Sequence, residues 1–144
     1  MAQALARARE ALADGDVPVG AVIVDESGAV IGTGRNTRER DGDPTGHAEL
    51  LALREAAAAR GTWRLDDCTL YVTLEPCTMC AGAIVQSRIA HLVFGAWDEK
   101  AGAVGSLWDV VRDRRLNHRP EVTSDVMAGE STALLQAFFR EHRM

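Results

Sequence analysis

Thr73-Leu74-Glu75-Pro76-Cys77-Thr78-Met79-Cys80 decides how this chain is read: a run of strand character stops at a proline and delivers two cysteines three residues apart. Cysteines at i and i+3 in the first turn of a helix share a side, so both sulfurs reach one point. A helix start carries partial positive charge and favours the thiolate, the form that binds metal. Pro76 suits a first turn, where its missing N–H has no use. Taken alone the C-x-x-C spacing stays open: a redox dithiol, half of a structural zinc site, chance spacing and a catalytic metal site all satisfy it.

Around this stretch the pattern predicts a strand over Cys68 to Leu74, a helix over Cys77 to Ser87 and a strand over His91 to Ala96. A strand, helix, strand unit this short implies a parallel pair with a right-handed crossover. Ala81-Gly82-Ala83 predicts close approach of the helix to the sheet, because an interior glycine otherwise costs roughly 1 kcal/mol against alanine. Upstream, residues 1 to about 14 read as an amphipathic helix with Leu5, Ala8 and Leu12 on its apolar side. Val19 to Val24 and Val30 to Gly34, joined by Asp25-Glu26-Ser27-Gly28, read as an antiparallel hairpin that Asn36 ends. Thr37 to Gly46 reads as a loop, and Thr45 as the N-cap of a helix from about Gly46 to Arg60 that Gly61 stops.

Downstream, Ser106 is the expected cap of a short helix through about Asp113, and Arg114 to Pro120 a basic loop. A fifth strand is expected over Glu121 to Val126, and a last helix over Ser131 to about His142 with Leu134, Leu135, Phe138 and Phe139 on its apolar side. The sum is one α/β domain over residues 1–144, a mixed five-stranded sheet packed between helices.

Composition narrows the function classes. A chain of 144 residues buries roughly 70% of its unfolded surface without staples, so a metal here is not required merely to hold a fold. No apolar run approaches 18 residues and no signal segment opens the chain, so a cytoplasmic protein with no membrane partner is expected. Three cysteines, two of them in the motif, argue against a disulfide framework, and Cys68 reads as a small buried hydrophobe. The net charge of −5 gives no general attraction to phosphates, so any RNA contact must come from local basic patches.

His47-Ala48-Glu49 opens the second predicted helix, and an H-x-E followed by P-C-x-x-C resembles the signature of zinc-dependent nucleobase deaminases. The candidate ligands are His47, Cys77 and Cys80, with a fourth position left for water, which is the pattern of a catalytic rather than a structural zinc. His91, His118 and His142 stand far along the chain and read as surface or packing residues. Glu49 is the candidate proton carrier. Spacing does not establish that it shares a site with His47: residues two apart on a regular helix point roughly 200° apart, and a first-turn glutamate also suits the helix dipole.

Beyond the signature, the chain is similar to the bacterial tRNA adenosine deaminase family over nearly its whole length. The similarity rests on Val17-Pro18-Val19-Gly20-Ala21-Val22, Asn36, Asp43-Pro44-Thr45-Gly46-His47-Ala48-Glu49, Leu70 to Ala83 and Asn117-His118-Arg119. The resemblance implies the three-layer cytidine-deaminase-like fold, one zinc per subunit, a homodimer with substrate contacts from both chains, and conversion of the wobble adenosine of a tRNA anticodon loop to inosine. It also implies that Asn36 and the backbone N–H of Ala48 meet the base, although an asparagine ending a strand is commonly a turn cap. The family carries alanine where this chain has Gly46, and often a longer basic tail than Glu141-His142-Arg143-Met144. The basic candidates for RNA are Arg112, Arg114, Arg115, Arg119, Arg140 and Arg143. Two other readings stand beside this one: a deaminase of the same fold acting on a free base or nucleoside of guanine or cytosine type, and a non-catalytic zinc or redox protein using Cys77 and Cys80.

Overall fold

Small residues set the distances between the layers. In the computed structural model, which describes residues 1–142, the elements run α1 (Ala2–Ala13), β1 (Gly20–Val24), β2 (Val30–Arg35), α2 (Arg38–Asp41), α3 (Ala48–Arg60), β3 (Thr69–Leu74), α4 (Thr78–Gln86), β4 (His91–Ala96), β5 (Glu121–Thr123) and α5 (Ala128–Glu141). Arg143, one of the basic candidates, lies outside the described residues. The sheet order is β2-β1-β3-β4-β5, with β1 antiparallel to both neighbours and β3, β4 and β5 mutually parallel. This is the mixed five-stranded sheet that the sequence predicts.

Strand alternation divides the two faces. Ala21 pairs with Gly34 and with Val72 and faces α3; Gly20 pairs with Arg35 and faces α1. A Cβ on Gly34 would stand 2.2 Å from the Ala48 carbonyl oxygen, and one on Gly32 2.4 Å from that of Ala52, so only glycine lets α3 lie this close to β2. Gly20 does the same for α1, where a Cβ would meet the Ala4 carbonyl oxygen at 2.0 Å. The larger core, with Ile23, Leu53, Leu70, Val72, Ile84, Leu92 and Phe94, fills the α3/α4 side. Leu5, Ala8, Val22, Val93 and Phe138 are buried on the α1/α5 side. Helices on both sides make the three layers.

Several expectations need correction. Residues 106–113 form no helix. The Ser106 hydroxyl and N–H both bind the Glu75 carboxylate, and Leu107 and Val110 donate back to Gly102 and Ala103, so the segment folds onto residues 102–104. The fifth strand ends at Thr123, because Asp125 and Met127 take left-handed backbone (φ 64° and 55°). The last helix starts at Ala128; Ser131 is inside it, its hydroxyl donating to the Thr73 carbonyl at 2.5 Å. Phe138 is buried but Phe139 is half exposed, so the two do not share the apolar side. Leu12 is only partly buried, and Ala4 and Ala11 join Leu5 and Ala8 inside.

At the site end of the chain, Thr45 is not the cap of α3. Its N–H and hydroxyl bind Asp43, and the N-cap is His47. The loop after β2 contains the single turn α2, and the buried Asp16 accepts from the Glu39 and Arg40 N–H groups at 2.8 and 3.1 Å. Pro76 lies before the first turn of α4 rather than in it, since Cys77 is the N-cap. Gly82 makes no close approach to the sheet: nothing lies within 4 Å of where its Cβ would be. Gly61 does stop α3 with φ 70°, and Cys68 is buried, as the pattern predicts.

Gly34→Ala should therefore push α3 off the sheet and lower the urea midpoint by the equivalent of at least about 2 kcal/mol, the upper range of overpacking costs. An unchanged midpoint would show that α3 shifts at no cost.

Candidate metal centre and its cavity

α3 and α4 begin at the same place, beyond the C-terminal ends of β1's antiparallel partner β3 and of β4. His47 is the N-cap of α3 with extended backbone (φ −90°, ψ 147°), and Cys77 the N-cap of α4 (φ −75°, ψ 176°), with Cys80 one turn on. His47 Nδ1 is 3.6 Å from Cys77 Sγ and 3.4 Å from Cys80 Sγ, and the three ligand atoms all lie within 4.8 Å of one another. Zinc bonds of about 2.3 Å to sulfur and 2.0–2.1 Å to nitrogen at tetrahedral angles put N and S about 3.6 Å apart. The donor set and its spacing fit such an ion, and they supply three ligands, one short of closing a tetrahedron. His91, His118 and His142 do not join: they bind Thr123, the Ile89 carbonyl and the Phe138 carbonyl.

The convergence also removes the roughly 200° difficulty. His47 lies outside the helical turn, so the angular rule does not link it to Glu49, and both line one cavity of about 200 Å³. Glu49 is 4% exposed. Burial, reinforced by the neighbouring Cys77 charge, raises its carboxyl to about 7. The Cys77 thiol is pushed down to about 4, first by the Cys80 S–H donating to it and then by His47. Cys80 moves upward as the holder of that proton, with burial adding to the shift, and His47 moves upward through its bond to Cys77. Two helix starts aim positive ends at the sulfurs, which favours thiolate and hence a cation between them.

The rest of the cavity comes from β-strand ends and loops. Asn36 and Ala48 line it. Asn36 is 8% exposed; its Nδ2 donates to the Val17 carbonyl at 3.1 Å and its Oδ1 accepts from the Arg38 N–H at 3.1 Å. It is a turn cap and a cavity residue at once, keeping one N–H and one lone pair for a ligand. Ala48, first residue of α3, has an N–H with no acceptor inside the helix. Gly46 packs tightly beside them: its carbonyl accepts from Thr37, and an added Cβ would meet Thr37 Oγ1 at 2.9 Å.

Arg38, Asp98 and Ala101 also line the cavity, and sequence reasoning missed them. Nothing in the spacing of Asp98 and Ala101 marks them, because their loop is brought to the site by long-range bonds, among them those to Glu75, and Arg38 lies in the polar loop after β2 with no pattern to single it out. Among the described residues, the basic candidates Arg112, Arg114, Arg115, Arg119 and Arg140 do not line the cavity. His118 fixes the 114–120 loop to Ile89, before the start of β4, and the six residues of β4 at about 3.3 Å each leave that loop roughly 20 Å from the site end. Arg112 is nearer, donating to the Val104 carbonyl at 3.0 Å. A larger groove of about 520 Å³ lies away from this chemistry, between α3 and α4, lined by Leu50, Leu53, Ala57, Trp63 and Ala83 among others.

Comparison with known proteins agrees with this architecture. The family model described as MafB19-like deaminase matches residues 1–143. The chain is 48% identical over 143 residues to the tRNA-specific adenosine deaminase of Bacillus subtilis (strain 168), covering 99% of this chain and 88% of that protein. It is 52% identical to a Deinococcus radiodurans protein named tRNA(Ile)-lysidine synthase, of which it spans only 24%. Among solved structures, one from work on A-to-I editing by tRNA:A34 deaminases at the wobble position of transfer RNA superposes with a TM-score of 0.87 at 44% identity, covering 92% of this chain and 95% of that one. The guanine deaminase of Nitrosomonas europaea superposes with a TM-score of 0.78 at 29% identity, covering 95% and 81%. A family match over residues 1–143, a shared fold and identity near one half over the full match place this chain in the MafB19-like deaminase family, as a deaminase of the tRNA-adenosine type within the cytidine-deaminase superfamily.

Proposed function

We propose that residues 1–144 act as one deaminase domain that hydrolyses the 6-amino group of the wobble adenosine in a tRNA anticodon loop, giving inosine and ammonia, with one zinc per subunit. The observation that carries this reading is the meeting of His47, Cys77 and Cys80 at metal-ligand spacing beside the buried Glu49, in a chain so similar to tRNA-specific adenosine deaminases. His47, Cys77 and Cys80 would hold the zinc, which when bound would supply a water acidified from about 15.7 toward 7. Glu49, buried against the cavity, takes a proton from the attacking water and gives it to the purine ring nitrogen, then carries the proton of the new C6 hydroxyl to the departing amine. Asn36 and the Ala48 N–H orient the base edge. A flipped base from a single-stranded loop fits a cavity of this depth and size.

For the flanking nucleotides, Arg38 lines the cavity mouth, and Lys100, Gln136, Phe139 and Arg140 border a neighbouring groove of about 530 Å³. Cations around a half-exposed ring suit a single strand, even on a chain of net charge −5. The groove between α3 and α4 suits a second copy: it is apolar, Gly82 beside it is open, and Trp63 on its rim is 57% exposed. A cytoplasmic setting follows from the substrate, and among the described residues no helix is long and apolar enough to cross a membrane.

Zinc-loaded protein should yield inosine from an anticodon stem-loop with adenosine at the wobble position and no ammonia from free adenine, adenosine, guanine or cytosine. Ammonia from a free base with an untouched stem-loop would move the protein to base salvage. Glu49→Gln should keep one zinc per chain by elemental analysis and lower turnover at least about 100-fold; unchanged turnover would leave the metal a structural one. Cys80→Ser should lose zinc and activity together. In sedimentation, Ala83→Arg should convert a dimer to a folded monomer, and a persistent dimer would place the interface elsewhere.

A further inference from the structure

Glu75 is 2% exposed and belongs to no step described so far. Its Oε1 accepts from the Asp98 N–H at 2.9 Å, and its Oε2 from the Val104 and Ser106 N–H groups, each at 3.0 Å; the Ser106 hydroxyl donates to Oε1 as well. Four donors meet a group with about four lone-pair sites, so the carboxylate has no acceptor position left for a proton-carrying role. The carboxylate rests on the Gly102 backbone, where a Cβ would stand 2.2 Å from Glu75 Cδ. The same loop turns back on the metal-site segment: Ala103 N–H donates to the Pro76 carbonyl at 2.8 Å, and Gly102 pairs with Cys77. Asp98, held at its N–H, in turn accepts from Lys100 and Ala101 through Oδ1. Asp98 and Ala101 form the cavity wall supplied by this loop, opposite in chain order to the Asn36 and Ala48 contributions.

We infer that Glu75 is a positioning residue that fixes the substrate-side wall: one buried carboxylate ties loop 98–106, with Asp98 and Ala101, to the strand end that delivers Cys77. The substrate half of this inference rests on the proposed deamination. Gln fills the same volume, but its amide has one acceptor oxygen. With that oxygen facing Val104 and Ser106, the NH2 meets the Asp98 N–H donor to donor, while the Ser106 hydroxyl can rotate to accept. The loss therefore falls on Asp98.

The test compares the metal-loaded wild-type chain, Glu75→Gln and the milder Ser106→Ala. Three readouts are taken: bound zinc, amide hydrogen exchange without substrate, and kcat and KM on the anticodon stem-loop. Glu75→Gln should keep one zinc per chain, exchange the Asp98 amide about tenfold faster while Leu70 to Val72 in β3 stay protected, and raise KM about tenfold with kcat within about twofold. Ser106→Ala should shift the same readouts in the same direction by less. Unchanged exchange and KM in both variants would overturn the inference. So would zinc loss in step with activity, or faster exchange throughout the sheet, either of which makes Glu75 a general stabiliser. A wild type inert toward the stem-loop overturns the proposed function and the substrate half, while the exchange comparison still decides the tether.

Discussion

Two helices that begin at one point are the constraint on which the rest of the structure depends. α3 and α4 each present unsatisfied N–H groups and a positive dipole end to the same small volume. Without a compensating arrangement that juxtaposition is unfavourable. Here the N-cap positions are given to His47 and Cys77, neither of which makes a side-chain cap bond to its own helix, and Cys80 adds a third donor atom within the first turn. Thiolate charge answers the dipoles, and the three donor atoms are spaced to hold a cation. A metal-type cluster is the electrostatic consequence of where the two helices start.

Where they start is set by backbone contacts. α3 lies against β2 through Gly32 and Gly34, facing Ala52, Ala56 and Ala48, so the small residues on both surfaces fix its depth within a fraction of an ångström. The first residue in that contact, Ala48, adjoins His47, and the last paired residue of β2, Arg35, adjoins Asn36. A packing error there is transmitted to a candidate metal ligand on one side and to a cavity residue on the other. α4 is positioned by the short parallel crossover between β3 and β4, which is why one strand-to-helix turn can carry both cysteines.

The sheet and its order of elements were legible because they rest on local chemistry: an apolar run in Val19 to Val24, a glycine stop at Gly61, a proline between strand and cysteines; the cluster was legible through the resemblance of H-x-E and P-C-x-x-C to a known signature. The parts that were not legible depend on partners far along the chain. Ser106 has the composition of a helix cap, yet it meets Glu75 31 residues away, and a carboxylate already held by three N–H groups outcompetes a marginal helix for its hydroxyl. Thr45 likewise loses its cap role to the nearer Asp43. An interior glycine such as Gly82 implies close contact with the sheet, but nothing lies within 4 Å of where its Cβ would be. Periodicity reports that a face is special without saying which neighbour it meets.

Three buried carboxylates, each 4% exposed or less, show how one fold assigns different work to the same functional group. An ionised carboxylate taken out of water must recover its hydration from protein donors. Asp16 recovers it from two N–H groups of α2, and in doing so holds the turn that follows Asn36. Glu75 recovers it from three N–H groups and a hydroxyl, and in doing so holds the loop that carries Asp98 and Ala101. Glu49 has no such cage from a neighbouring loop, and it faces the charge of Cys77. Its burial is met by proton affinity instead, which is what raises it to about 7. The two caged carboxylates hold the segments that build the walls, and Glu49, which lines the cavity without such a cage, is the one proposed to carry protons there.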